Sequence, residues 1–266
     1  MTRDYKEEQV VDQRKRLAFQ TVYEIIRREG VEELNRPALS LWWSGVAAGL
    51  GISISLLAMG LLRVYLPDTE WMPLVEKLGY TMGFLIVVLG RLQLFTENTI
   101  TVVLPFLAEA SMDSFRKVVR LWSIVLSANM FGTFLFASVV LFLNIVQQHQ
   151  IESMLEVAHE FADKNFREAF LLGIPAGFLI AALVWMLPSS ESFEFFVIIS
   201  MTYLIGIGDF THVIAGSAEI FMLMLNGDVS LVFAIAFITC MGLGNIAGGT
   251  GLFAILTYLQ VEEELS

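Results

Sequence analysis

The residues Gly206-Ile207-Gly208-Asp209-Phe210-Thr211-His212 sit inside an apolar run that extends from Phe193 to Leu225. At bilayer depth, two glycines, an acid, a hydroxyl and an imidazole leave backbone bonds open and polar groups dry unless they line a cavity. A second interruption of the same kind, Gly90-Arg91-Leu92-Gln93-Leu94-Phe95-Thr96-Glu97-Asn98, splits the run from Tyr80 to Leu107. Together they predict two broken helices facing each other around a pore.

The rest of the composition agrees with a membrane setting. Of 266 residues, 56% are hydrophobic, the mean hydropathy is +0.69, and the apolar residues fall in long blocks, as in a polytopic helical membrane protein. The one cysteine, Cys240, excludes an internal disulfide and a thiolate zinc cluster. A net charge of -11 argues against nucleic acid as a partner. No paired metal-ligand motif, no serine nucleophile beside a base and no soluble catalytic domain is present, so neither an enzyme nor a cofactor is expected. The first 38 residues are mostly charged, and no cleavable signal peptide is read in them.

Taken in order, the chain reads as all-α with six transmembrane segments. Residues 5 to 30 mix Val10, Leu17, Val22, Ile25 and Ile26 with Arg14, Lys15, Arg16, Arg27 and Arg28, which predicts an amphipathic surface helix ended by Gly30. Segment one, Leu39 to Leu62, is long enough at about 1.5 Å per residue to cross a hydrocarbon layer of about 30 Å. Segment two is the broken run from Tyr80 to Leu107, and segment three runs from about Leu121 to Val146. An acidic loop with Glu152, Glu156, Glu160 and Asp163 follows and is expected to face water, with His149 and His159 solvated. Segment four is Phe166 to Leu187, segment five the broken run to Leu225, and segment six ends near Leu259 before a tail of Glu262, Glu263 and Glu264.

Eight Lys/Arg in the N-terminal tail and three between residues 109 and 120, against Arg63, Lys77, Lys164 and Arg167 on the other side, place both termini in the cytoplasm. The expected organisation is then a cytoplasmic helix (1–38), a first three-helix repeat (39–146), a periplasmic loop (147–165), a second repeat (166–259) and a cytoplasmic tail (260–266).

The repeat rests on matching motifs. Gly45-x-x-x-Gly49 in segment one answers Gly173-x-x-x-Gly177 in segment four, and Asn129-x-x-Gly132 answers Asn245-x-x-Gly248-Gly249. Thr96 precedes Asn129, and His212 precedes Asn245, by the same 33 residues. Three crossings per copy turn the second copy upside down, an arrangement that places a permeant species at the interface of the copies. The small residues serve as close-packing faces.

At Leu94-Phe95-Thr96-x-Asn98, at His212 and at Gly244-Asn245-x-x-Gly248-Gly249 the sequence resembles the formate/nitrite transporter family. Lys164, Phe166, Ala169, Phe170, Gly173 and Ile174 add a weaker element. The resemblance covers all six segments. It implies an aquaporin-like fold, a homopentamer with one pore per subunit, and a bacterial inner-membrane location. It further implies that Thr96 faces His212, that Leu94 and Phe95 form an apolar constriction with Asn98 beside it, and that Lys164 draws anions into the outer vestibule. Gly208, Asn129, Asn245, Gly248 and Gly249 are expected to shape the broken helices.

A bare anion pays a large desolvation cost in such a constriction, whereas the neutral acid pays little. A histidine, with an ordinary pKa of about 6.5, is suited to share or donate the proton that removes the charge. The expected function is therefore a channel or transporter for small monovalent weak-acid anions such as formate or nitrite, with proton sharing at His212. Four positions depart from the family pattern: Thr211 stands where glutamate is usual, Gly216 where asparagine is, Ala176-Gly177 where cysteine-asparagine often is, and Glu97 where a small or uncharged residue is. Glu97 is expected to supply the missing acid from the opposite side by pairing with His212 or Arg91, and Arg91 and Asp209 are further candidates for an ion pair inside the membrane. A pore for water, glycerol or ammonia is the alternative, because Glu97 is unwelcoming to anions.

Overall fold

A computed structural model describes residues 17–143 and 145–265. The basic cluster Arg14, Lys15 and Arg16 lies outside the described residues. α1 (Phe19–Leu34) is amphipathic, burying Val22, Tyr23, Ile26 and Gly30. It does not stop at Gly30 as the sequence suggested. That glycine is instead a contact point, since a Cβ there would lie 2.0 Å from the Thr101 carbonyl oxygen. On the other face of α1, hydrogen bonds from Arg27 and Arg28 hold the Glu24 carboxyl down to about 2, so it stays ionised.

Among the described residues, five helices are long and apolar enough to cross a membrane. They are α2 (Ala38–Tyr65), α3 (Met72–Leu89), α6 (Met112–Phe142), α8 (Phe166–Met186) and the run from Leu231 to Glu264. That last run comprises α11 (Leu231–Ile246), a π-helical turn (Ala247–Ala254) and α12 (Ile255–Leu265). Shorter apolar helices adjoin the two breaks: α4 (Asn98–Thr101) and α5 (Val103–Ala108) after the first, α9 (Glu194–Ile207) and α10 (Val213–Asn226) on either side of the second.

Three expectations change. The stretch 147–165 is not a loop: α7 (Gln148–Ala162) occupies most of it, burying Ile151, Met154, Val157 and Ala158 against α2 and α10 while its acids face out. His159 is half-exposed but lies 3.1 Å from Asp228. The basic residues Arg116, Lys117 and Arg120 belong to the first turns of α6, which starts at Met112 behind a Ser111/Ser114 capping box. The acidic tail is helical and rests on α1, with Tyr258 6.5 Å from Tyr23 and Gln20 hydrogen-bonded to Glu264.

α2 packs on α3 and α6, α8 on α11 and the π turn, α9 on α3, and α10 on α6 and α7. Glycines make the closest approaches: Gly49 meets Gly132 across α2 and α6, and Gly173 meets Gly244 across α8 and α11. Without side chains between them the backbones touch, which is what packing in lipid requires.

Candidate functional site

Both breaks are built the same way. α3 ends with Arg91 N donating to the Val88 carbonyl and Leu92 N to that of Val87; α9 ends with Asp209 N donating to Gly206 O and Phe210 N to Ile205 O. These are the paired bonds of a Schellman motif, with Arg91 (φ 50°) and Asp209 (φ 54°) at the left-handed position. The strained residue is thus the one after each glycine. Gly208 itself is right-handed (φ −78°) and leaves room for the Phe210 ring.

Two asparagines then satisfy the opened backbone. The Asn129 side chain accepts from Phe95 N at 2.9 Å and donates to Gly45 O and Gln93 O, both at 2.8 Å. Asn245 accepts from Val213 N at 2.8 Å and donates to Gly173 O at 2.9 Å and Thr211 O at 2.8 Å. Both are fully buried, and each consumes three of its four hydrogen-bonding positions on backbone.

The breaks bring Thr96 and His212 together: Thr96 Oγ1 lies 2.7 Å from His212 Nε2, and both residues are fully buried. His212 also caps α10, its Nδ1 accepting from Ala215 N at 3.2 Å. An Nδ1 that accepts leaves the ring proton on Nε2, so the imidazole donates to Thr96 and the Thr96 hydroxyl proton remains to be donated onward. Phe84 sits edge-on to the imidazole at 5.0 Å, and Leu94 and Phe95, which precede Thr96 in the chain, are buried, Phe95 against Trp122. Apolar groups therefore close around one hydroxyl–imidazole pair.

A cavity borders each break, and neither Thr96 nor His212 is part of its lining. One, of about 310 Å³, is lined by Lys77, Tyr80, Phe161, Ile205, Asp209 and Glu219 among others. Tyr80 packs against Phe84 with ring centroids 5.2 Å apart, which connects this wall to His212. The other, of about 540 Å³, is walled by Leu94, Glu97 and Asn98 and roofed by Glu29, Glu32 and Glu33 of α1. Lys164 does not line the first cavity; it pairs with Asp209 at 3.2 Å and lies over the Phe161 ring, both of which do.

The expected charge pairs are not formed. Arg91 lies 3.1 Å from Glu29 of α1 and is 81% exposed, while Asp209 faces the opposite cavity. Glu97 reaches neither His212, which Thr96 already occupies, nor Arg91; its Oε1 is buried with no hydrogen-bond partner among the described residues. Asn98 bonds Gln93 Oε1, and Gln93 bonds Glu33, which ties the first break to α1. Thr211 donates to the Ala169 carbonyl at 2.6 Å, anchoring the second break to α8. Gly216 admits the Phe161 ring, whose edge lies 2.5 Å from where a Cβ would be, so a larger residue would collide there. Sequence reasoning missed Glu219. The signal was available, because His212, Gly216 and Glu219 are spaced as one face of a helix.

Comparison with known proteins agrees with these motifs. Residues 20–259 match the formate/nitrite transporter family. The chain is 39% identical over 248 residues to the inner membrane protein YfdC of Escherichia coli K12, covering 92% of this chain and 79% of YfdC. It is 25% identical over 202 residues to the formate channel FocA of Haemophilus influenzae, covering 73% and 70% respectively. Among solved structures, a pentameric formate channel with formate bound aligns with a TM-score of 0.73 at 22% identity, over 85% of this chain and 98% of that one. A second structure, an ion channel of the same family, gives a TM-score of 0.76 at 18% identity over 91% and 98%. The chain belongs to the formate/nitrite transporter family.

Proposed function

We propose that the protein is a multi-pass inner-membrane channel for small monovalent weak-acid anions such as formate or nitrite, with the proton-bearing pair Thr96–His212 at its centre. The observation that carries this reading is the 2.7 Å contact between those two buried side chains, with a cavity bordering the break that carries each. α9 and α10 together form a sixth crossing, and residues 39–146 and 166–259 are two inverted copies of one three-helix unit. The matched bonds of Asn129 and Asn245 support that symmetry. Five such chains form a ring, each with its own pore. By the distribution of basic residues, both termini and the cavity under α1 face the cytoplasm, and the Lys77 cavity faces outward with Lys164 at its rim.

An anion entering the constriction leaves water for a passage whose first donors are the Thr96 hydroxyl and, behind it, the His212 Nε2–H. The chain His212→Thr96→anion supplies a hydrogen bond where solvent is absent, and proton sharing along it lowers the cost of crossing. His212→Ala in liposomes is expected to lower formate flux by about tenfold or more and to alter its pH dependence. Equal flux in parent and variant would remove the imidazole from the pathway.

The cytoplasmic cavity gives the second reading its support. Glu29, Glu32, Glu33, Glu97 and Glu194 outnumber its one arginine, Arg91, and such a wall favours uncharged solutes over anions. Swelling assays with glycerol run beside the anion fluxes decide between the two: rapid glycerol entry without formate or nitrite entry selects the neutral pore. Glu97→Gln is expected to change the pH profile or anion preference of the flux, since Glu97 borders this cavity and its Oε1 is buried without a hydrogen-bond partner among the described residues. Unchanged fluxes would take Glu97 out of permeation.

A further inference from the structure

The outward cavity holds an acid that none of the interactions above uses. Glu219, on α10, is 3% exposed, and its Oε2 is buried without a hydrogen-bond partner among the described residues. It borders the cavity together with Lys77 and Tyr80. His212, Gly216 and Glu219 follow one face of α10, so the acid stands two turns, or about 10 Å, from the imidazole.

Its neighbours are otherwise engaged. From α2 comes Arg63, which binds Glu76 of α3 at 2.6 Å and Glu160 of α7 at 2.7 Å. Asp209, in the second break, is held by Lys164. Lys77 of α3 lies nearest to Glu76, at 3.8 Å, and makes no ion pair with Glu219. Tyr80 of α3 adds a phenol to the wall, while from α6 Thr133 bonds Ser217 beside it. Glu160 and Asp209, the other carboxylates in the lining, therefore each have a cation within hydrogen-bonding distance, as does Glu76 behind Lys77, and Glu219 has none.

A carboxylate this buried and without a partner is costly, and in an anion path it would also repel the cargo. Both problems vanish if the group carries a proton. We propose that Glu219 is a proton-donating anion site: a carboxylic acid that receives a small monovalent anion attracted by Lys77 and gives it a proton before it reaches His212. This rests on the channel reading above and extends it by one residue. In the step, the O–H bond of the Glu219 carboxyl breaks and an O–H bond forms on the anion, with no change of oxidation state. The neutral acid moves on toward Thr96, and Glu219, left as a carboxylate beside the Lys77 ammonium, regains a proton from hydrated protons in the cavity. One proton and one anion then enter together.

The test uses the purified full chain in liposomes, with labelled formate outside and a pH-sensitive dye inside. The parent is expected to carry formate with acidification of the lumen. Glu219→Gln is expected to lose flux by about tenfold or more at neutral pH and to regain it at mildly acidic external pH, where solution supplies the neutral acid; Glu219→Asp should recover part of the neutral-pH flux. Parent-like flux and pH profile in Glu219→Gln would overturn the proposal, and so would a loss of equal size at every pH, which marks packing rather than proton supply. Infrared difference spectra with and without formate keep the question decidable if Glu219→Gln fails to assemble or the parent carries no anion. A carboxylic-acid band that responds to formate in the parent and is displaced in Glu219→Asp upholds the assignment, and no such band ends it. Failure of all anion flux in the parent would instead remove the channel reading.

Discussion

Asn245→Leu is expected to yield no stably assembled protein. Leucine fills a similar volume but leaves Val213 N without an acceptor and the carbonyls of Gly173 and Thr211 without donors, all in the dry centre of the molecule. Each unsatisfied buried group costs about 1–3 kcal/mol, so three of them approach the whole stability of a typical domain, about 5–15 kcal/mol. The loss also falls where the chain has no regular structure to repair it, because the second break ends at the residue Asn245 binds. Size-exclusion profiles and thermal unfolding in detergent measure the effect. A variant with the parent's elution and melting temperature would show that the asparagine is not what holds the break. Asn129→Leu is its natural companion, since that side chain does the same for Phe95, Gly45 and Gln93.

The second large effect is steric. In Gly248→Val a Cβ would stand 1.9 Å from the Ile174 carbonyl oxygen and 2.8 Å from Phe178 N, both backbone atoms of α8. Neither can rotate away, so the π turn and α8 must separate, and overpacking of that kind costs about 1–3 kcal/mol or more. Separation also disturbs Gly249, which fits against Thr99 of the first break. Loss of assembled protein is therefore expected. Gly251, three residues on in the same π turn, has nothing within 4 Å of its would-be Cβ, so Gly251→Val should elute and melt like the parent. Equal behaviour of the two variants would mean that the turn tolerates side chains generally and that the contact with α8 is not the reason for the glycine.

The breaks could be read from the chain because glycine, charge and hydroxyl are so out of place in an apolar run. Thr96 and His212 could be paired because both precede an asparagine by the same interval. What could not be read depends on contacts between residues far apart in sequence. The sequence offers Glu97 or Asp209 as a partner for Arg91, yet its partner is Glu29, 62 residues earlier, because α1 folds back over the first break. α7 went unseen because its acids dominate a hydropathy average. Its apolar residues, Ile151, Met154, Val157 and Ala158, fall at helical intervals, and that pattern outweighs the acids once one face can dock on α2 and α10. Glu219 was overlooked for the opposite reason: a single acid among Ile220, Phe221, Met222 and Leu223 reads as a detail of a spanning helix until the cavity beside it is known.

The π turn bears on more than the fit of Gly248. A stretch that holds more residues per revolution than its neighbours shifts the angular phase of everything after it by part of a circle. α12 inherits that phase, and with it the direction in which Tyr258 and Val261 look, which is toward Tyr23 and the rest of α1. The glycine-rich segment packed on α8 and α4 thus also sets the bearing of the C-terminal helix. A length change of one residue there would swing that helix away from α1 while leaving its own sequence untouched.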